Sequence, residues 1–190
     1  IDVPHTVAGD GTYFDHVPLF AGKHVFKVDK EMVEALTEAG KDFDLKMIGM
    51  YAMDSMRLEK SYRLWGTDLN AENSVLEAGL DRFVDCTKDF HGKKAMEKTG
   101  IRVKCATFLV DGPDDADPWG REALYSNGRR VGRLTSGGYS VAFGKSIGMG
   151  YLPPDLAVPG TKVEVKMQDR LWPAEVVEDS PYDPANAVIR

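Results

Sequence analysis

A chain of 190 residues has room for one large domain or two small ones, and 43% apolar with 28% charged residues is ordinary globular composition. Its net charge of −6 at pH 7 excludes a general nucleic-acid binder, which needs a basic face to neutralise phosphates. No apolar run reaches the ~20 residues of a membrane helix, and the two cysteines, Cys86 and Cys105, form no CxxC and no disulfide framework, as expected of reduced thiols in a cytoplasmic or mitochondrial-matrix compartment.

The turn formers Pro4, Gly9, Asp10 and Gly11 open the chain, and short strands are predicted over 12–17 and 24–28. Asp29 is a good N-cap. Behind it Met32, Val33, Leu36 and Ala39 recur at helical spacing until Gly40 stops the pattern, which predicts a helix over 30–39. A second helix is expected over 47–62. Its stripe of Ile48, Tyr51, Ser55 and Leu58 should face a core, with Met47, Met50, Met53 and Met56 as core filler. Asp54 and Arg57 form an i,i+3 pair on it. Trp65, Gly66, Thr67, Asp68 and Asn70 then make a loop. Ala78-Gly79 is a turn before an expected short strand over 80–84, and a helix over 90–98 is closed by Gly100.

From Ile101 the texture changes. Val103, Cys105, Thr107 and Leu109 alternate with Arg102, Lys104, Ala106 and Phe108, as in a strand buried on both faces. Short strands follow near 123–125, 130–135, 148–152, 162–166 and 170–177. Asn127-Gly128, Gly137-Gly138, Pro153-Pro154 and Pro159-Gly160 punctuate them. Regular short strands of this kind predict a small antiparallel barrel or sandwich, and Asn127-Gly128 is a hairpin signal. The fold class is therefore α+β, with a boundary inside 88–100.

Two apparent motifs carry no chemistry. Gly144-Lys145-Ser146 resembles the end of a phosphate loop, but five residues separate Gly138 from Gly144 where the motif requires four. His5, His16, His24 and His91 are not paired at ligand spacing with one another or with a cysteine, so no metal is expected. No nucleophile elbow is present.

The run Asp54-Ser55-Met56-Arg57-Leu58-Glu59-Lys60, then Tyr62, Arg63, Trp65, Gly66, Asp68 and Leu69, then Leu76 to Leu80, sets the family reading. It resembles the D-S-L-R-L-E-K-x-Y-R-x-W-G-x-D-L and P-L-E-A-G-L runs of the folate-dependent aminomethyltransferases. That family includes the T-protein of glycine cleavage and the C-terminal halves of dimethylglycine and sarcosine dehydrogenases. Thr135, Ser136, Gly137, Tyr139, Ser140, Ser146, Ile147 and Tyr151 are similar to a second family run. The resemblance implies the tail of a folate-binding domain over 1–92 and a C-terminal β-barrel domain over 93–190. It spans only the C-terminal half of a family member, so an N-terminal half or a partner chain is expected to supply the rest of the site. That missing part would include the catalytic acid or base.

The implied cofactor is tetrahydrofolate. A reduced folate joins a flat pterin to an aromatic ring and an acidic tail, so it needs an aromatic slot and a cation. By resemblance and chemistry together the candidate contacts are Tyr13, Phe14, Asp15, Arg57, Trp65 and Arg82. The family's pterin-binding glutamate falls on Phe14 in ungapped register and on Asp15 with a one-residue slip. Met53 stands where T-proteins have an arginine, and Arg82 where some members have an aromatic. Competing structural roles are Arg57 as partner of Asp54 or Glu59, and Trp65 as core. If 12–17 and 80–84 share a sheet, Tyr13, Phe14 and Arg82 meet on one cavity wall. The implied reaction passes a one-carbon group from a small methylated amine, such as dimethylglycine or sarcosine, to the folate. Any FAD would belong to a separate domain or chain. The alternatives are a folate-dependent S- or O-demethylase and a non-catalytic subunit that keeps the fold.

Overall fold

The computed structural model describes residues 30–188 in full and the backbone of 13–16 and 24–27. The chain divides into two compact units, 1–48 and 49–190.

In the first unit β1 (Tyr13–His16) pairs antiparallel with β2 (His24–Lys27). The predicted helix is α1 (Lys30–Ala39), followed by a 3-10 turn at Lys41–Phe43. Gly40 ends the helix as expected: its N–H bonds back to the Leu36 carbonyl, and a Cβ there would sit 2.5 Å from Leu45. Met32, Val33 and Leu36, the apolar stripe of α1, are exposed.

In the second unit α2 (Met50–Glu59) leads into a loop and a short 3-10 helix, Asp81–Phe83. Then come α3 (Lys93–Thr99) and six strands: β3 (Lys104–Val110), β4 (Ala123–Ser126), β5 (Arg129–Ser140), β6 (Lys145–Leu152), β7 (Lys162–Met167) and β8 (Arg170–Val177). The six close into an antiparallel barrel in the order β3-β6-β5-β4-β7-β8. The barrel alternative of the sequence reading is thus the observed one. Asn127 and Gly128 have φ of 51° and 72°, the two positive values that a two-residue hairpin between twisted strands demands. Phe108, Val110, Leu124, Leu134, Leu152, Val165 and Val176 fill the interior, each almost wholly buried.

Strand β6 is buried on both faces because α2 packs on the outside of the barrel, and β3 because the segment after α2 also covers it, with Ser61 on Thr107 and the Glu77 carbonyl on Cys105 N–H. Leu58 meets Ile147 and Met149 there, with Leu109 beside them. Only the C-terminal end of α2 is covered. Met50, Tyr51, Met53 and Met56 are 43–82% exposed, and Met47 and Ile48 are exposed just before the helix. The expected core stripe and methionine filler are therefore corrected: the buried part of the stripe is Leu58, flanked by half-buried Ser55. Residues 80–84 are corrected as well. Phe83 N–H bonds to the Leu80 carbonyl and Val84 N–H to Asp81, which winds a 3-10 turn in place of a strand. With 80–84 wound as a turn, the strand expected there to share a sheet with 12–17 is absent; β1 pairs with β2.

Candidate functional site

The run of 54–69 is held together by one buried ion pair. α2 is rich in strong helix formers, and its spacing stacks Asp54 and Arg57 on one face. Arg57 Nε donates to Asp54 Oδ1 at 2.5 Å. Its Nη1 donates to Asp68 Oδ2 at 2.8 Å and to the Tyr62 carbonyl at 3.2 Å, and Nη2 donates to Ser136 Oγ at 2.9 Å. Asp68 is fully buried. Its Oδ1 accepts the hydroxyls of Ser136 at 2.7 Å and Thr135 at 2.5 Å, and its Oδ2 also accepts Leu64 N–H at 2.9 Å. The Asp68 carbonyl accepts the Tyr151 hydroxyl at 2.8 Å. A buried carboxylate endures only when its lone pairs are filled, and these are. Asp68 therefore joins helix, loop and barrel strands β5 and β6 at one point.

Neighbouring residues of the run bind the barrel in the same way. Glu59 Oε1 accepts Ser140 Oγ at 2.6 Å and the Ala142 N–H at 3.0 Å. Ser61 Oγ lies 2.7 Å from Thr107 Oγ1, both buried. The Lys60 ammonium, almost wholly buried, donates to the Asp183 carbonyl at 2.6 Å and to Asn186 Oδ1 at 2.7 Å. Arg63 Nη2 reaches Asp179 at 2.7 Å. Farther along, Ser74 and Glu77 close a reciprocal cap: Ser74 N–H donates to Glu77 Oε2 at 2.8 Å and Glu77 N–H to Ser74 Oγ at 3.2 Å. Arg102 then grips the same carboxylate from Nε at 2.9 Å and from its own backbone N–H at 3.1 Å. Burial opposes the charged form of Glu77. Hydrogen bonds from the Arg102 side chain, and from the backbone at Ser74 and Arg102, outweigh it and hold the carboxyl down at about 2. Burial pushes the Cys105 thiol up to about 12 and raises Tyr151 too.

The sequence-predicted contacts separate into three groups. Arg57 lies inside the network, with donors at all three guanidinium nitrogens bonded to protein acceptors. Trp65 and Arg82 are exposed. Trp65 is 77% accessible, so its alternative role as core is not what the structure has. Arg82 carries its guanidinium carbon 4.8 Å above the centre of the Phe83 ring, itself exposed. The backbone of Tyr13, Phe14 and Asp15 forms β1; their side chains lie outside the described residues. Thr135, Ser136, Tyr151 and the Ser74–Glu77 cap carry much of the geometry and were not singled out as site residues. The S-x-x-E spacing of 74–77 is a legible capping signal; the pairing of Asp68 with Ser136 has no local signal.

Between α2 and the barrel lies an open cleft of about 470 Å³. Tyr51, Asp54 and Ser55 line it from the helix, Asp117 to Trp119 from the loop after β3, and Gly137 to Tyr139 from β5. Ser55 Oγ donates to the Tyr139 carbonyl at 2.6 Å and pins helix to strand. Among the described residues no three His, Cys, Asp or Glu side chains group as metal ligands, and no helix is long and apolar enough to cross a membrane.

Known proteins resemble this chain along most of its length. The glycine cleavage T-protein C-terminal barrel domain matches residues 104–183, which contain the barrel, and the GCVT N-terminal domain matches residues 27–88. The mitochondrial dimethylglycine dehydrogenase of Homo sapiens is 37% identical over 155 residues, covering 78% of this chain and 18% of that protein. The aminomethyltransferase of Halothermothrix orenii is also 37% identical over 155 residues, covering 78% of this chain and 42% of its own length. The solved aminomethyltransferase T of the Bartonella henselae glycine cleavage system superposes with a TM-score of 0.71 at 25% identity, over 81% of this chain and 45% of that one. The chain thus spans less than half the length of each of these relatives. With the closed barrel in place, its outer face locked to the 54–69 run, and both domains of one family matched in order, the chain belongs to the glycine cleavage T-protein, or aminomethyltransferase, family.

Proposed function

We propose that this chain is the C-terminal part of a tetrahydrofolate-dependent transferase. It would move a methyl or methylene unit from a small methylated amine, of the dimethylglycine or sarcosine kind, to the folate. The observation that carries this reading is the 37% identity over 155 residues to a dimethylglycine dehydrogenase. The remainder of the site comes from the N-terminal portion of the longer protein or from a partner chain, and flavin chemistry, where present, belongs there as well.

The residues at hand fit a folate in two respects. Arg82 is an exposed cation stacked on an exposed aromatic ring, suited to the aryl and carboxylate end of the cofactor. Trp65 offers a second accessible ring. Tyr13, Phe14 and Asp15 complete the proposed set. Arg57 serves it by position, because its donors already fasten α2 to Asp68 and Ser136. Tetrahydrofolate supplies the nucleophilic nitrogen that takes up the one-carbon unit. The protein's part is to hold two reactants in one cavity, where proximity does much of the work.

Titration with a reduced folate tests the reading on the longest soluble form of the protein. Arg82→Ala should weaken binding by about 1–3 kcal/mol, the range for a hydrogen bond to a charged group. Arg130→Ala, on the hairpin side of the barrel, should leave affinity unchanged. Equal affinity of the two variants would remove Arg82 from the site; absence of folate binding in the parent protein would favour the non-catalytic subunit.

A further inference from the structure

Residues 179–188 lie over the end of α2 and are fastened there by polar bonds. Tyr182 N–H donates to the Glu59 carbonyl at 3.1 Å, Ser180 Oγ to the Lys60 carbonyl at 2.8 Å and Ser180 N–H to Ser61 Oγ at 2.9 Å. In the other direction the Lys60 ammonium donates to the Asp183 carbonyl and to Asn186 Oδ1, and Arg63 Nη2 donates to Asp179. These bonds all land on one short stretch, Glu59 to Arg63, where α2 ends. The segment has internal order as well: the Asp183 carboxylate accepts the Ala187 and Val188 N–H groups at 2.7 and 3.0 Å. Among the described residues, neither apolar core cluster contains a side chain from 179–188.

A hydrogen bond given up to water costs little net free energy, whereas apolar surface given up to water costs in proportion to its area. A segment held mainly by polar bonds therefore opens more cheaply than the core. The closed position also carries penalties that opening relieves. Ser180, Asp183 and Asn186 hold φ of 55°, 47° and 53°; Asp and Asn tolerate this left-handed region, and Ser does so much less. Lys60 is almost wholly buried, an expensive place for an ammonium group. Beside the Cys105 thiol, no oxygen accepts from the buried Nε of Arg63. Water satisfies both cations once the segment has lifted. The contacts beneath need nothing from it: Leu58 on Ile147 and Met149, Glu59 on Ser140 and Asp68 on Ser136 join α2 and its loop to the barrel directly.

We propose that 179–188 is a detachable strap, which lifts off as a unit while the barrel and the docked end of α2 stay folded, and so switches Lys60 and Arg63 between buried and solvent-facing states. The open state also uncovers Cys105. That residue is 4% exposed and lines a cavity of about 150 Å³, whose wall includes Gly79 and, at the root of the strap, Glu178 and Asp179. Its thiol is a reporter of opening, and the exposed Cys86 is an internal reference in the same chain. Folate plays no part in this device.

The test is alkylation of the 190-residue chain with iodoacetamide along a urea series, each cysteine being read by peptide mass. Cys86 should react at once. Cys105 should react in the native baseline at a rate that low urea barely changes, because lifting a polar strap exposes little surface, and should then join the global transition. Lys60→Met keeps the apolar stem and removes the ammonium anchor. It should speed the native-baseline reaction about tenfold or more, whereas Arg170→Met, an exposed cation at the far end of β8, should not. Cutting the chain after Glu178 should make Cys105 fast throughout and leave a cooperative urea transition. Should Lys60→Met misfold, native-state hydrogen exchange on the parent chain decides: the Ser180 and Tyr182 N–H groups should exchange with little urea dependence, ahead of those of Phe108 and Met149. Reaction of Cys105 only with the steep urea dependence of global unfolding, an unchanged rate in Lys60→Met, loss of the cooperative transition on removing 179–190, or exchange of Ser180 and Tyr182 together with the barrel core would overturn the proposal.

Discussion

At the position of Asp68 the chain places a full negative charge where there is no solvent, and surrounds it with a guanidinium, two hydroxyls and a backbone N–H. Losing that charge would leave Arg57, only 11% exposed, facing a hole. Asp68→Ala is therefore expected to lower unfolding free energy by about 3–5 kcal/mol, the cost of breaking one side of a buried pair. Urea denaturation of the chain and the variant measures this directly. The Asp54–Arg57 half of the network is legible in sequence, because helical periodicity makes i,i+3 residues neighbours. The Asp68 half is not: Ser136 is 68 residues further on, and only the closed barrel brings it near. Arg57 illustrates how a residue whose type suits a ligand can be consumed by its own fold.

Elements were legible where their signal is local. The α1 boundaries follow from Asp29, the apolar repeat and Gly40, and the β4–β5 hairpin from Asn127-Gly128. The stripe on α2 misleads because periodicity reports an apolar face without saying what covers it; within this chain the barrel covers only the end near Leu58. The segment 74–80 is attached differently, through charge. Glu77 caps its own turn and holds Arg102, while its backbone carbonyl accepts the Cys105 N–H at the start of β3. The folded-state pKa of Glu77 is depressed from 4.5 to about 2. A depressed carboxylate contributes stability that is fully present above its unfolded value and lost as pH falls through its folded one. Stability should thus decline between about pH 4.5 and 2 with a contribution from this group, and Glu77→Gln should flatten the decline. Thermal melts of both proteins across that window provide the comparison; parallel curves would exclude Glu77 as a source.

For the molecule as a whole, the boundary expected at 92/93 from the resemblance and the spatial unit of 49–190 place α2 and its loop differently. The barrel interior, from Phe108 to Val176, is self-contained, so a 98–190 fragment should fold and give a dispersed amide spectrum. Yet its outer face would lose Leu58 from Ile147 and Met149, and leave Thr107, Ser136 and Ser140 without Ser61, Asp68 and Glu59. Burying a leucine alone is worth about 1.5–3 kcal/mol. A 49–190 fragment is therefore expected to be the more stable, with a higher urea midpoint. Equal midpoints would mean that the docked run adds nothing to the barrel, and a collapsed spectrum from 98–190 would mean that the barrel cannot form without it.

The burial of β6 on both faces also bears on how the barrel finds its pairing. Most strands are kept in register because a one-residue slip turns apolar side chains toward water. That penalty is weak for β6, where both faces lie in apolar surroundings. Its glycines replace it with a steric check. At Gly150 a Cβ would stand 2.3 Å from the Arg133 carbonyl oxygen, and at Gly148 it would press on Leu134 and Ser136 at 3.1 Å. A strand slipped by one residue would drive Met149 or Tyr151 into those gaps. The mispaired hairpin could not close, and the chain would reopen it and try again, so two residues with no side chain act as the proofreader of the β5–β6 alignment.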